Sequence, residues 1–107
     1  MGEPSGKHWL VYMIRADDGS YYTGITTDMA RRWRQHALQN NGAKFFRGRR
    51  PAALVYLEPG HDRSSASRRE AAIKGLTRPA KQQLLAAALN VLNTAEGSAL
   101  VAACAVE

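Results

Sequence analysis

Two short runs near the start of the chain, His8 to Arg15 and Ser20 to Thr26, are dense in Trp, Tyr, Val and Ile. Residues of these types favour strands, and Asp17-Asp18-Gly19 between the runs is a turn signal. The length of that turn decides which side chains share a face, because directly opposed residues of an antiparallel pair point the same way. A two-residue loop would set Tyr12 against Ile25 and send Tyr12 and Tyr22 to opposite faces. A three-residue loop, a type I turn closed by Gly19 in the left-handed region, sets Tyr12 against Gly24 and Tyr22 against Ile14. Only the odd-length loop puts both tyrosines on one face, and that is the expected form.

A helical period follows. Met29, Trp33 and Ala37 recur every four residues as a buried stripe, and Thr27 or Asp28 can cap a helix that runs to about Leu38. Arg32 and His36, also four apart, fall together beside the stripe and can reach a cleft at the edge of the core, whereas Arg31 and Arg34 fall on the exposed side. Asn40-Asn41-Gly42 ends this helix, and Gly42 to Pro51 is a basic loop containing Phe45 and Phe46. Ala53 to Leu57 predicts a third strand closed by Pro59-Gly60. A second helix is expected from Asp62 or Ser64 to about Leu76, with Ala66, Arg69, Ala72, Ile73 and Leu76 on one buried side. Thr77 caps a third, with Pro79 in its first turn and an alanine- and leucine-rich run from Lys81 to about Leu92. This order predicts an α/β fold, a three-stranded, mainly antiparallel sheet flanked by helices. It forms one domain over residues 8–92, with residues 1–7 as an N-terminal extension and 93–107 as a C-terminal tail.

Composition narrows the partner. The 107 residues carry a formal charge of +6, and the cations cluster: Arg31, Arg32 and Arg34 in one helix, Lys44, Arg47, Arg49 and Arg50 in one loop. Clustered positive charge favours a polyanion, nucleic acid ahead of an anionic membrane surface, although a solvated basic face would look the same. Arg31, Arg34, Lys44, Arg47, Arg49, Arg50 and Lys74 are therefore candidate nucleic-acid contacts. Gly24 joins them, because a glycine opposite Tyr12 would let a ligand approach the backbone, unless it serves only a bulge or strand end. The single cysteine, Cys104, excludes a disulfide or thiolate zinc site within one chain, so any metal must be held by oxygen or histidine. No glycine-rich nucleotide-phosphate loop is present, and no apolar run reaches the roughly 18–20 residues needed to span a bilayer. A cytoplasmic location, with no membrane contact, is expected.

Cleaving a phosphodiester requires a group to take a proton from water, a cation for the charge growing on the phosphoryl oxygens, and help for the leaving group. Arg32 can grip phosphate through two parallel hydrogen bonds, its alternative being a surface ion pair. Glu70, a lone carboxylate among apolar neighbours, can contribute to a Mg²⁺ or Mn²⁺ site, which commonly uses one or two protein carboxylates. Its alternative is an ion pair with Lys74 one turn on. Tyr12 and Tyr22 can act on the water only if a cation lowers the phenol pKa or if they orient the nucleophile. His36 can shuttle protons or hold a phosphate oxygen. Phe45 and Phe46 can stack bases, which suits single-stranded or branched substrates, or can be core.

Taken together, Val11-Tyr12, Tyr22-Thr23-Gly24, Arg32 and His36 in Arg32-Trp33-Arg34-Gln35-His36, and Glu70 in a later helix resemble the GIY-YIG nuclease superfamily over about residues 8 to 85. Gly42-Ala43-Lys44, Leu54-Val55-Tyr56 and the run from Glu70 to Leu76 resemble, more closely, its small stand-alone bacterial branch typified by YhbQ. Leu10 replaces the first half-motif's glycine, and Val11 and Thr23 replace its isoleucines. The resemblance implies a divalent-metal-dependent endonuclease in which Arg32 contacts the scissile phosphate, Glu70 holds the metal, and Tyr12 and Tyr22 line the site and assist the water. DNA is expected ahead of RNA. The competing expectations are a non-cleaving nucleic-acid-binding module on the same fold and an adaptor acting through a protein partner or as a homodimer.

Overall fold

The structure is a computed structural model that describes residues 8–38, 46, 48–87 and 90. Its order is β1 (Trp9–Ala16), β2 (Tyr21–Thr26), α1 (Met29–Ala37), β3 (Pro51–His61), α2 (Arg63–Lys74) and α3 (Arg78–Leu84). The strands form one antiparallel sheet in the order β2-β1-β3, which is the expected α/β architecture. The hairpin turns through Asp17-Asp18-Gly19: Gly19 N–H donates to Ala16 O, Ala16 N–H to Ser20 O, and Gly19 has φ 87°. Tyr12 accordingly opposes Gly24, and Tyr22 opposes Ile14.

Because the central strand is covered on both faces, alternate β1 side chains feed two cores. On one face Tyr12, Ile14 and Ala16 pack with Met29 and Trp33 of α1, Phe46, Leu54 and Leu57. On the other, Val11 and Met13 pack with Tyr56 of β3 and with Ala66 and Ile73 of α2. β3 serves both cores by carrying extra residues. Its register against β1 shifts between the Met13–Tyr56 and Ile14–Leu54 pairs, which leaves Val55 as a bulge and lets Leu54 and Leu57 share a face.

The third strand is longer than its apolar stretch predicts. Pro59-Gly60 does not close it: Gly60 at φ 87° accommodates a second irregularity, and the strand resumes at His61 opposite Trp9. The helix caps fall at Asp28, Asp62 and Thr77. Asp62 is reinforced by Ser65, whose hydroxyl accepts from the Asp62 N–H while Asp62 accepts from the Ser65 N–H. In α2 only Ala66 and Ile73 are buried, Arg69 is half-buried, and Ala72 and Leu76 face solvent, so its apolar side is narrower than expected.

The third helix does not run on to Leu92. α3 ends at Leu84, and the chain continues in tight turns with Ala86 N–H bonded to Gln83 O and Asn90 N–H to Ala87 O. The buried Asn90 side chain holds this turn against the outer edge of β3. It accepts from Leu57 N–H and donates to Val55 O and Leu85 O, covering strand groups that would otherwise be open. Residues 1–7 and 93–107, the expected extension and tail, lie outside the described residues.

Candidate active site

The hairpin register and α1 together assemble the candidate site at the β2 edge of the sheet. Tyr12 and Tyr22 sit on the α1 face with ring centroids 6.1 Å apart. One turn after Arg32, His36 points between them, its ring 6.0 Å from Tyr12 and 5.2 Å from Tyr22. A hydrogen bond of 2.8 Å joins Tyr12 Oη to His36 Nε2. Arg32 extends from the same helix, donates to Gln35 Oε1 at 2.8 Å, and shares hydrogen bonding with the hydroxyls of Tyr12 and Tyr22. It also lines a recess of about 250 Å³ with Thr26, Thr27, Asp28, Arg31 and Gln35.

Burial divides these residues into two groups. Tyr12 and His36 are fully buried, whereas Tyr22 and Arg32 are half-exposed. His36 is thus not at the cleft edge, and it cannot hold a phosphate oxygen from where it lies. Desolvation, helped by the nearby Arg32 charge, holds its pKa down to about 4, so the ring is neutral at physiological pH. Among the described residues its Nδ1 has no hydrogen-bond partner. For Tyr12, burial is the largest influence and the Tyr22 phenol acts in the same direction; the Arg32 guanidinium opposes them and loses. The Tyr12 phenol is pushed well above its ordinary range and is a neutral hydrogen-bonding group at pH 7, not a preformed phenolate. For Arg32, desolvation works against the charge, but the tyrosine hydroxyls more than offset it and the pKa is raised.

Two open alternatives close at this site. The space beside Gly24 is not open to a ligand, because a Cβ there would stand 2.5 Å from Tyr12 Oη and 2.7 Å from Cζ. The missing side chain makes room for the Tyr12 ring. Phe46 is also unavailable for base stacking: it is buried against Tyr22 and His36, with centroids 5.4 Å and 4.8 Å away. Phe45, Lys44 and Arg47 lie outside the described residues. Arg49 makes an ion pair of 3.5 Å with Asp18, and the Arg50 backbone bonds to Asp17 in both directions, so the end of the basic loop is fastened to the hairpin turn. Arg31 and Arg34 are exposed as expected.

Glu70 and Lys74 approach from α2. Lys74 Nζ lies 3.2 Å from Glu70 Oε2 and 5.9 Å from the Tyr22 ring centroid, which places the carboxylate on the α2 side of the same strand edge. The i,i+4 ion pair is formed. Among the described residues no three His, Cys, Asp or Glu side chains gather as a metal cage. A single partly exposed carboxylate still fits a cation held jointly with waters and a substrate phosphate.

With this geometry in place, comparison with known proteins is decisive: the GIY-YIG catalytic domain model matches residues 8–83. The chain belongs to the GIY-YIG family. Within it, the chain is 49% identical over 79 residues to the UPF0213 protein of Desulfotalea psychrophila, covering 74% of this chain and 72% of that one. It is 46% identical over 78 residues to the UPF0213 protein YhbQ of Escherichia coli K12, covering 73% and 77%. A solution NMR structure of a UPF0213 protein from Bacillus halodurans is 42% identical and covers 72% of this chain and 81% of its own, with a TM-score of 0.46. By its sequence identity to the UPF0213 proteins, this GIY-YIG domain is of the YhbQ-like branch. No helix of the described residues is long and apolar enough to cross a membrane.

A second polar cluster, on the opposite face, was missed from sequence. Glu58 is buried, accepts from Tyr56 Oη, lies 2.6 Å from His61 Nε2 and accepts from Arg69 Nε at 3.1 and 3.2 Å. Burial alone would raise its pKa, but the hydrogen bonds from Tyr56, His61 and Arg69 together hold it below the usual carboxylate value. Burial and the bond to Glu58 push Tyr56 up to about 12. The available signal was strand alternation, which puts Tyr56 and Glu58 on one face and a carboxylate against the core.

Proposed function

We propose that this chain is a divalent-metal-dependent endonuclease acting on nucleic-acid phosphodiester bonds, with DNA as the substrate to test first. The observation that carries the reading is the convergence of Tyr12, Tyr22, Arg32 and His36 at one strand edge, with Glu70 on the neighbouring helix. A phosphate entering the recess meets the Arg32 guanidinium, which can exchange its bonds to neutral acceptors for two charge-assisted ones. Half-exposed Tyr22 is the phenol that reaches a water beside that phosphate. Buried Tyr12, fixed by neutral His36, holds the Tyr22 ring in place and bonds through an un-ionised hydroxyl.

Glu70 would hold the Mg²⁺ or Mn²⁺, leaving its bond to Lys74 and freeing that ammonium for a phosphate. When bound there, such a cation supplies positive charge beside the phosphoryl oxygens as bonding changes. Base stacking by Phe46 lends no support to a single-stranded or branched substrate, since Phe46 is core, and that preference rests on the cleavage comparison below.

The test is cleavage of end-labelled single-stranded, duplex and branched DNA, and of RNA, in Mg²⁺ or Mn²⁺, by the wild type, Arg32→Ala and Glu70→Ala. Folded variants should each lose at least ~10²-fold in rate, the scale for removing one group that stabilises developing charge. Salt-sensitive binding without cleavage, unchanged by Glu70→Ala, would instead identify a binding module that retains the fold.

A further inference from the structure

The recess beside Arg32 lies at the Thr26 end of β2, and a second basic feature lies at the other end. Tyr21, the first residue of β2, is the cross-strand partner of Arg15, and the Arg78 guanidinium lies 4.7 Å from its ring centroid. Arg15 and Arg78 are both exposed, and among the described residues neither has a carboxylate within ion-pair distance. Arg78 also stands close to the turn, 3.9 Å from where a Gly19 Cβ would be. Arg78 thus lies over the Tyr21 ring, and Arg15 is the cross-strand neighbour of Tyr21. Arg49, by contrast, is satisfied by Asp18.

β2 is an edge strand, and the two basic features mark its ends. Tyr21 to Thr26 spans five residue steps of about 3.3 Å, or roughly 17 Å. That span equals the rise of about five stacked nucleotides at 3.4 Å each. Lys74, above the Tyr22 ring, lies on the way. We propose that Arg15 and Arg78, beside Tyr21, form a phosphate-binding station remote from the cleavage site, and that a nucleic-acid strand reaches it from the Arg32 recess by crossing over the β2 edge, since Tyr21 packs with the α2-side core and Tyr22 with the α1-side core. The station deepens the nuclease reading and rests on it for the placement of the strand's other end. With its Cζ over the Tyr21 ring, the Arg78 guanidinium can offer N–H groups to a phosphate while keeping its cation–π contact.

The experiment is fluorescence anisotropy of a labelled single-stranded DNA of about twelve nucleotides, long enough to span both ends of the track, titrated with protein in EDTA at several salt concentrations. Arg15→Gln/Arg78→Gln is compared with Arg63→Gln/Arg68→Gln, which removes the same charge from the far end of α2, and thermal unfolding verifies that both fold. Losing two phosphate contacts should weaken binding about ten-fold and reduce the log–log salt slope by about 1.4, with the control pair changing by less than about two-fold. Arg78→Lys in the Arg15 wild-type background, retaining charge without the planar stack, should keep the wild-type slope.

Equal losses in the two double variants, or no loss in either, would overturn the station. The outcomes separate this inference from the nuclease reading. A wild type that cleaves nothing, combined with a selective loss in Arg15→Gln/Arg78→Gln, removes the nuclease and supports the station. Cleavage abolished by Arg32→Ala, combined with no selective binding loss, retains the nuclease and removes the station.

Discussion

At the scale of single residues, the site is organised around a side chain that is missing. Gly24 exists where it does because the Tyr12 ring occupies the volume a Cβ would take, 2.5 Å from Oη. The ring cannot swing away cheaply: it is fully buried, and its hydroxyl is bonded to His36. Gly24→Ala should therefore destabilise the fold by about 1–3 kcal/mol, as overpacking does, and should also lower cleavage by displacing Tyr12 from His36. Urea unfolding together with a cleavage assay reads both; unchanged stability would mean that the ring has somewhere to go. The sequence made Gly24 conspicuous through its register opposite Tyr12, but register says nothing of whether the space is filled by a ligand or by the facing ring. His36 shows the same limit. Its spacing from Arg32 placed both on one side of α1, yet a shift of one position around the helix separates a cleft residue from a core residue, and only packing against Phe46 and the tyrosines resolves it.

At the scale of elements, local signals located the hairpin and the caps, while contacts distant in sequence set the rest. The turn signal left two loop lengths open, with opposite consequences for Tyr12 and Tyr22, and the structure has the expected three-residue form that puts both on one face. β3 was underestimated because Pro59-Gly60 is a local stop signal that pairing of His61 with Trp9 overrides. The alanine-rich run after Lys81 reads as helix by propensity, but the three hydrogen bonds of Asn90 draw it onto β3. The clasp between β3 and α2 is only half legible for a related reason, since strand alternation turns Glu58 toward the core but its partner Arg69 comes eleven positions later. Arg69→Met would leave a buried carboxylate without its charged partner. The expected cost is about 1–3 kcal/mol, moderated by the partial exposure of the arginine. Adding Glu58→Gln should recover part of that loss, so a double-mutant cycle in urea should show positive coupling; strict additivity would mean that the pair does not act as a unit.

At the scale of the whole molecule, the two buried networks on opposite faces of the sheet make stability depend on pH in separate windows. His36 has a folded pKa of about 4 against an ordinary 6.5, so between those values the unfolded chain takes up a proton that the folded chain refuses. Stability therefore falls as the pH drops through that window, by about 2 kcal/mol between pH 7 and pH 5. Glu58 has the opposite charge type and the same direction of effect. Its folded pKa lies below the ordinary 4.5, so its contribution is complete above the unfolded value and is lost only as the pH falls through the folded one. The interval from pH 7 to pH 5 thus carries the His36 contribution while that of Glu58 is still largely in place. Urea unfolding across it should show the loss in the wild type and a flatter profile in His36→Gln, whatever that variant costs at pH 7. An unchanged slope in His36→Gln would show that the imidazole is not held neutral in the core, and with it the description of Tyr12 as a hydroxyl fixed by an uncharged partner would fail.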